Sequence, residues 1–140
     1  MTRLFVAAVL ATILAATLSA PGAVAAPVTA PMQSDSSVPI SVATATTVEL
    51  VPAVAGQSIF VTHYNFVAAG AGSVKLVSGT GANCGTGTAD VTGNYTLTAS
   101  AAVEAGSGLG VLAIVAPGRA LCITNAAAVG MYGLLSFAQR

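Results

Sequence analysis

The hydrophobic pattern of this chain is a succession of short apolar stretches separated by Gly, Pro, Asn and Ser. Runs of this kind, with turn residues roughly every eight to twelve positions, are typical of β-strands. A single helical turn fits only at residues 99–104, because no longer stretch shows a 3.6-residue period. The pattern predicts about eight strands, at residues 38–42, 46–51, 58–68, 73–78, 95–99, 111–115, 121–124 and 130–138.

About eight short strands without a crossover helix predict an all-β fold, an antiparallel β-sandwich of jelly-roll type. An internal repeat of about 20–50 residues is absent, which excludes a solenoid or a propeller. Residues 38–140 are predicted to form one domain. Residues 26–37 carry two prolines and no periodicity, and we interpret them as a flexible lead-in.

Residues 58–68 are the strongest predicted strand, and they are apolar at both odd and even positions. The apolar side chains divide into Ile59, Val61 and Val67 on one face and Phe60, Tyr64 and Phe66 on the other. A strand that is apolar on both faces is either central and covered, or covered on one face by another subunit. This predicts a candidate interface at Phe60, His63, Tyr64 and Phe66. The closing strand divides likewise, with Met131, Leu135 and Phe137 opposite Tyr132 and Leu134.

Residues 1–25 have the pattern of a secretory signal peptide. Arg3 precedes an apolar run at residues 4–18, and Ala23-Val24-Ala25 offers a small-x-small cleavage site. The alternative is a retained membrane anchor, but the run is shorter than the ~20 residues that span a bilayer. We therefore expect a mature protein that begins near Ala26, is secreted, and has no membrane contact after cleavage.

The chain contains two cysteines, Cys84 and Cys122. In an exported protein this number predicts a disulfide, here expected to staple the sandwich. The bond would close a loop of about 38 residues and contribute roughly 4 kcal/mol on the chain-entropy estimate. The alternatives are a metal site or a reactive thiol. A metal site lacks further ligands, because His63 is the only histidine and no CxxC spacing occurs.

Charged residues are rare in the predicted mature chain. Removal of Arg3 with the leader leaves three basic residues against four acidic ones, a net charge of −1. Such a chain cannot neutralise a row of phosphates, which argues against a nucleic-acid partner. A surface filled by Thr, Ser, Gly and Asn gives little repulsion between copies, which favours a homo-oligomer.

No catalytic constellation, cofactor site or metal site is predicted. His63 lacks a nucleophile, because both cysteines are assigned to a bond. Asp90 with Glu104 stays open as a glycosidase pair. The glycine-rich residues 79–87 resemble a phosphate loop only in composition, and the sequence predicts a tight turn there instead. Asn94-Tyr95-Thr96 fits a glycosylation sequon.

Four motifs occur in a fixed order: SGTGxxC at residues 78–84, AGSGxG at 105–110, ALCIT at 120–124 and SFAQ at 136–139. Together they resemble a family of small secreted or phage-associated β-sandwich proteins, with an SGTGxxC loop and a later ALCxT strand. The resemblance covers about residues 40–139. It implies the fold and the disulfide, and it implies no active site. Phage relatives suggest a virion surface component, whereas the signal peptide favours a cell-encoded exported protein.

The sequence therefore predicts a secreted, non-enzymatic structural protein that acts by self-association or by binding at the cell surface. The first alternative is a lectin-like module for a glycan or another small ligand. That role needs aromatic side chains, and the predicted mature chain offers Tyr64, Tyr95 and Tyr132 without Trp. The second alternative is a phage-derived virion surface component. An enzymatic role is the least favoured of these functions.

Overall fold

The computed structural model describes residues 32–140. The predicted signal peptide and the predicted lead-in up to residue 31 lie outside this range. Within it the chain forms ten strands and one short 3-10 turn, and it contains no α-helix. The strands are β1 (Ser36–Val42), β2 (Thr46–Val51), β3 (Ile59–Ala68), β4 (Gly72–Thr80), β5 (Thr86–Asp90), β6 (Tyr95–Leu97), β7 (Ala102–Gly106), β8 (Ala113–Val115), β9 (Ala120–Asn125) and β10 (Met131–Gln139), and the 3-10 turn is Ala82–Cys84.

The strands form two antiparallel sheets packed face to face. The first sheet has the order β1-β10-β3-β7, and the second has the order β2-β9-β4-β5. The fourth position of each sheet is shared by two short strands. β7 and β8 lie end to end along β3, and β5 and β6 lie end to end along β4. Eight strand positions in this order make a jelly roll, so the predicted fold class is confirmed.

The strand count is ten instead of about eight, because β5 and β7 were predicted as a loop and a turn. β5 has the sequence TGTAD and is exposed at all five positions, so it shows no apolar alternation. β7 has the sequence AVEAG and takes up residues 102–104 of the segment in which a single helical turn was possible. Both strands form because a neighbouring strand supplies hydrogen-bonding partners. The hydrophobic pattern of a short segment does not show which strand it pairs with in the folded chain.

β3 contains a β-bulge at Thr62. Val61 pairs with Phe137 and His63 pairs with Ser136, which leaves Thr62 between them without a partner. One extra residue reverses the alternation of side chains between the two faces. The buried apolar positions accordingly change parity, from Ile59 and Val61 before the bulge to Tyr64, Phe66 and Ala68 after it. The predicted division of the β3 side chains between two faces is therefore wrong. The strand is apolar at both odd and even positions because the inward side chains change from odd to even positions at the bulge.

The core lies between the sheets and includes an aromatic cluster. Tyr64 and Phe66 reach inward from the first sheet, and their rings stack with centroids 5.7 Å apart. Tyr95, on β6 of the second sheet, meets Phe66 edge-on at 5.9 Å. Its hydroxyl oxygen lies 2.6 Å from that of Tyr64, so the two phenols share a hydrogen bond between the sheets. The largest other buried side chains are Ile40, Ile59, Leu76, Leu121, Ile123, Met131 and Leu135.

Cys84 and Cys122 form the predicted disulfide, but the bond does not join the two sheets. Cys122 lies between Leu121 and Ile123, which point into the core, so its own side chain points to the outer face of the second sheet. The 3-10 turn folds over that face and brings Cys84 to it. The two cysteines, Val77 and Ala120 make a small buried cluster beneath the turn. The bond therefore fastens a covering loop to one sheet, which corrects the expected staple across the sandwich.

A disulfide is typical of proteins in an oxidising compartment outside the cytoplasm. Among the described residues no helix is long and apolar enough to cross a membrane.

Candidate functional site

The bulge in β3 directs the side chain of His63 to the outer face of the first sheet. His63 lies between Ser136 on β10 and Gly106 on β7. Thr62 holds the bulge in place, because its hydroxyl donates to the carbonyl of Ser136 at 3.1 Å. Bulges often re-aim a side chain beside a functional site. His63 is therefore the natural centre of a candidate site.

Gly106 ends β7 at a point where no larger residue fits. Its φ is +81°, and an added β-carbon would come 2.8 Å from Leu112 Cδ1 and 3.2 Å from His63 Cα, besides overlapping the carbonyl oxygen of Thr62. A positive φ and a close approach both favour glycine. The backbone of β7 consequently lies against the bulge, and the loop 107–112 starts beside His63.

Glu104 lies two residues before Gly106, on the same outer face. Its Oε1 is 3.5 Å from His63 Nε2. The imidazole is largely covered, with 17% of the side chain exposed, whereas 74% of the carboxylate side chain is exposed. Water competes for a contact as open as this one, so the contact contributes little to folding stability. Its donors and acceptors stay accessible to a ligand.

Residues 32–35 lie beside His63 on the outer side of the first sheet. Asp35 N donates to the carbonyl of Phe137 at 3.1 Å, and Gly110 N donates to the carbonyl of Met32 at 2.8 Å. Gln33 forms an isolated β-bridge with Leu109. The segment therefore leaves β1 and crosses the outer face of the first sheet to the loop 107–112. We call residues 32–35 the strap.

The strap corrects the expectation of a flexible lead-in for residues 32–37. These residues make backbone hydrogen bonds, and β1 begins at Ser36, two residues before the predicted domain start. An ion pair of 3.8 Å between Asp35 and Arg140 adds a contact to the carboxyl-terminal end of the chain. Residues 26–31 lie outside the described range.

A polar cleft of about 450 Å³ lies under the strap. It is lined by three serines, two glycines and the histidine–glutamate pair: Ser34, Ser107, Ser136, Gly106, Gly108, His63 and Glu104. A second cleft of about 320 Å³ shares Ser34 and Ser136 with the first and continues past Asp35 to Ser37 and Leu134. Together they make a groove that follows the strap, which we call the strap groove.

The strap groove has the residue types of a serine–histidine–acid triad without the geometry of one. A triad needs a histidine that is hydrogen-bonded to the serine and oriented by a buried acid. Within residues 32–140 no hydrogen bond joins His63 to Ser136, and Glu104 is exposed. The described residues also contain no group of three His, Cys, Asp or Glu side chains that could hold a metal ion. What the groove offers is a set of hydrogen-bonding groups.

Two of the four predicted interface residues lie in the core. Tyr64 is 4% and Phe66 is 1% exposed, because the bulge turns both side chains inward. Burial raises the pKa of Tyr64 well above its ordinary value, and the hydrogen bond to Tyr95 adds to the shift. Phe60 and His63 remain half-buried on the outer face. The pairing of Asp90 with Glu104 does not form, since Asp90 binds Lys75 on the second sheet at 2.6 Å.

Most of the exposed large apolar side chains of the described residues gather on the first sheet. Val67, Ile114, Tyr132 and Leu134 occupy outward positions of its strands, and Leu109, Val111 and Leu112 lie in the loop between β7 and β8. Val67, Tyr132 and Leu134 lie toward one end of the sheet and the other four toward the opposite end, with the strap groove between the two groups. We call the seven residues together the apolar face. The eighth exposed large apolar residue, Val54, lies in the loop between β2 and β3.

The two outer surfaces of the sandwich differ in character. Glu104 and His63 are the only acidic or basic side chains at outward positions of the first sheet's strands. The second sheet carries the Lys75–Asp90 ion pair and the exposed Glu49, and the disulfide loop covers part of it. The predicted alternation in β10 had already placed Tyr132 and Leu134 together, whereas the bulge that adds Val67 to them left no local signal.

Comparisons of the chain with protein-family models, with curated proteins and with solved structures find no match. The fold and its two surfaces define a disulfide-bonded jelly-roll domain that carries a polar groove and an apolar face on one sheet.

Proposed function

We propose that this protein is a secreted, non-enzymatic structural protein that associates with further copies of itself through the apolar face. The observation that carries the proposal is the one-sided distribution of large exposed apolar side chains within residues 32–140, where seven of eight lie on the first sheet and its edge. Exposed large apolar side chains that gather on one surface of a domain mark interaction sites. The low charge of the chain supports the same role, because copies repel one another weakly.

The size of the face predicts a weak association. The whole outer surface of the first sheet, the strap groove included, spans roughly 550 Å², from four strand positions at about 4.8 Å spacing and a β10 of nine residues at about 3.3 Å each, and the apolar side chains cover only part of it. A standard stable interface buries about 800 Å² per partner. A face-to-face pair of copies with two-fold symmetry would fall below that figure, so we expect an equilibrium that depends on concentration.

Light scattering coupled to size-exclusion chromatography tests this proposal on the mature chain. The wild type should show a mass that rises between about 5 μM and 500 μM. Val67→Lys, which places a charge in the apolar face, should remain monomeric throughout. Val54→Lys is the matched control, because Val54 and Val67 are exposed to similar extents, 40% and 45%, and only Val67 lies on the face. A monomeric wild type at 500 μM, or an oligomer that Val67→Lys leaves intact, contradicts the proposal.

The alternative of a ligand-binding, lectin-like module is favoured by a different feature, the strap groove. Volumes of about 300–1,000 Å³ are ordinary for ligand sites, and the larger cleft falls within that range. Three serines, a histidine and a glutamate line that one space. Self-association and ligand binding use neighbouring parts of the same sheet and can be tested separately.

A further inference from the structure

We infer that the strap groove binds a neutral, hydroxyl-rich ligand, of which a short oligosaccharide is the type. The inference rests on the ligand-binding alternative, to which it gives a site and a ligand class, and it does not depend on self-association.

The hydrogen-bonding groups of the groove match a ligand that both donates and accepts. Ser34, Ser107 and Ser136 each carry a hydroxyl that can do either. Glu104 contributes two acceptor oxygens that can take hydrogen bonds from two neighbouring hydroxyls, and the His63 ring can donate or accept. A polyol meets such a set better than an apolar molecule, which would leave these groups without partners.

The charge of the groove selects against anions. Neither Lys nor Arg lines either cleft, while the carboxylates of Glu104 and Asp35 do. A phosphate, a sulfate or an acidic sugar would meet the exposed carboxylate of Glu104 in the larger cleft, which no Lys or Arg lines, whereas Asp35 in the smaller cleft is already paired with Arg140 at 3.8 Å. A neutral ligand avoids that repulsion and still gains the charge-assisted hydrogen bonds to Glu104.

The walls of the groove are fixed before any ligand arrives. The bulge, the close packing at Gly106 and the backbone bonds of the strap hold His63, Ser136 and Ser34 on different elements. Groups that are already in place lose little conformational entropy on binding, which favours affinity for a small ligand.

The groove continues toward an apolar surface that suits the C–H faces of a sugar. Ser136, Leu134 and Tyr132 occupy successive outward positions on β10. These backbone positions span about 13 Å at about 3.3 Å per residue, and the ring of Tyr132 lies beyond them, over Gly130, so a ligand must extend over several sugar units to reach from the polar cleft to that ring. This stretch supplies the aromatic surface that a lectin-like role requires.

Two-dimensional ¹H–¹⁵N NMR titration of the mature protein with maltotriose, cellotriose and chitotriose tests the inference. At least one trisaccharide should shift the amide signals of His63, Gly106, Ser107, Gly108 and Ser136 in a saturable manner. Glu104→Gln removes the charge and keeps the shape, and it should weaken that binding by roughly tenfold or more, because hydrogen bonds to charged groups are the strong ones. Glu49→Gln, an exposed carboxylate on the second sheet, is the matched control and should bind like the wild type.

Three results would overturn the inference: no saturable shift with any of the three sugars, saturable shifts that Glu104→Gln leaves unchanged, or shifts at these amides that only calcium chloride produces. The last result would assign the groove to a cation. Repeating the titration with Val67→Lys separates the two proposals. That variant carries a charge in the apolar face and retains every residue that lines the groove, so it should bind the sugar whether or not the wild type self-associates.

Discussion

Gly79 lies so close to Cys84 that a β-carbon added to it would come within 2.7 Å of Cys84 Cβ and 2.5 Å of the Cys84 carbonyl oxygen. Gly79 belongs to β4 of the second sheet, and Cys84 belongs to the turn that covers that sheet. The first glycine of the SGTGxxC motif is thus explained by a close approach of two backbones. The second glycine, Gly81, has a φ of +72°, a backbone conformation that glycine adopts without steric strain.

Gly79→Ala should destabilise the protein by about 1–3 kcal/mol, because the covering turn must lift to admit the methyl group. Gly93→Ala is the matched control, since its β-carbon would meet nothing within 4 Å and its φ is not positive. That substitution should be neutral or slightly stabilising. Thermal unfolding followed by circular dichroism measures both variants, and equal melting temperatures would contradict the close-approach explanation.

Removal of the disulfide should lower the free energy of unfolding by about 4 kcal/mol, from the loop of 38 residues that it closes. The double variant Cys84→Ala/Cys122→Ala, or the wild type in reductant, should therefore melt well below the oxidised protein. Because the bond also holds the turn against Gly79, adding Gly79→Ala to the double variant should cost less than adding it to the wild type. An unchanged melting curve after reduction would show that the covering loop does not need the bond.

Comparing Gly106→Ala with Gly110→Ala separates the cost of steric overlap at the added β-carbon from the cost of a positive φ. Gly106 and Gly110 have nearly the same φ, +81° and +82°, but a β-carbon meets close neighbours only at Gly106. Gly110→Ala should cost about 1–2 kcal/mol from the left-handed conformation alone. Gly106→Ala should cost about 1–3 kcal/mol more, because it forces β7 away from the bulge. Urea unfolding gives both values, and equal losses would place the whole requirement in the φ angle.

The sequence predicted the two-sheet architecture better than it predicted which side chains of each strand point into the core. Alternation in β10 was sufficient to separate Met131 and Leu135, which are buried, from Tyr132 and Leu134, which are exposed. In β3 the same reasoning failed, because the bulge at Thr62 arises from pairing with β10 and changes the phase within the strand. β5 failed for a related reason, since a fully exposed strand shows no pattern until its partner is known.

The candidate site was less accessible to sequence reasoning than the fold. His63 was predicted at an interface, and it does lie on the outer face. Its partners come from distant parts of the chain: Ser34 from the strap, Glu104 from a strand that was not predicted, and Ser136 from β10. No spacing in the sequence links these residues. The jelly-roll order brings them together, so the groove becomes visible only once the strands are paired.

The hydrogen-bonded pair Tyr64–Tyr95 predicts a loss of stability in alkaline solution. In the unfolded chain Tyr64 loses its proton near its ordinary pKa of about 10. Burial raises the pKa of Tyr64 in the folded protein well above that value, so the folded state keeps the proton. The stabilisation is fully present below pH 10, and the free energy of unfolding should then fall by up to about 1.4 kcal/mol per pH unit as the pH rises further.

Urea unfolding between pH 8.5 and 11 measures this slope, and Tyr64→Phe tests its origin. The variant removes the titrating group, so its free energy of unfolding should fall less steeply above pH 10, although it starts about 1 kcal/mol lower because Tyr95 loses its partner. Tyr132→Phe is the matched control, since Tyr132 is half exposed, and it should keep the wild-type slope. Both cysteines are bonded, so no thiolate forms in this range. If the free energy of unfolding of Tyr64→Phe falls with pH as steeply as that of Tyr132→Phe and the wild type, the loss of stability in alkaline solution does not arise from Tyr64.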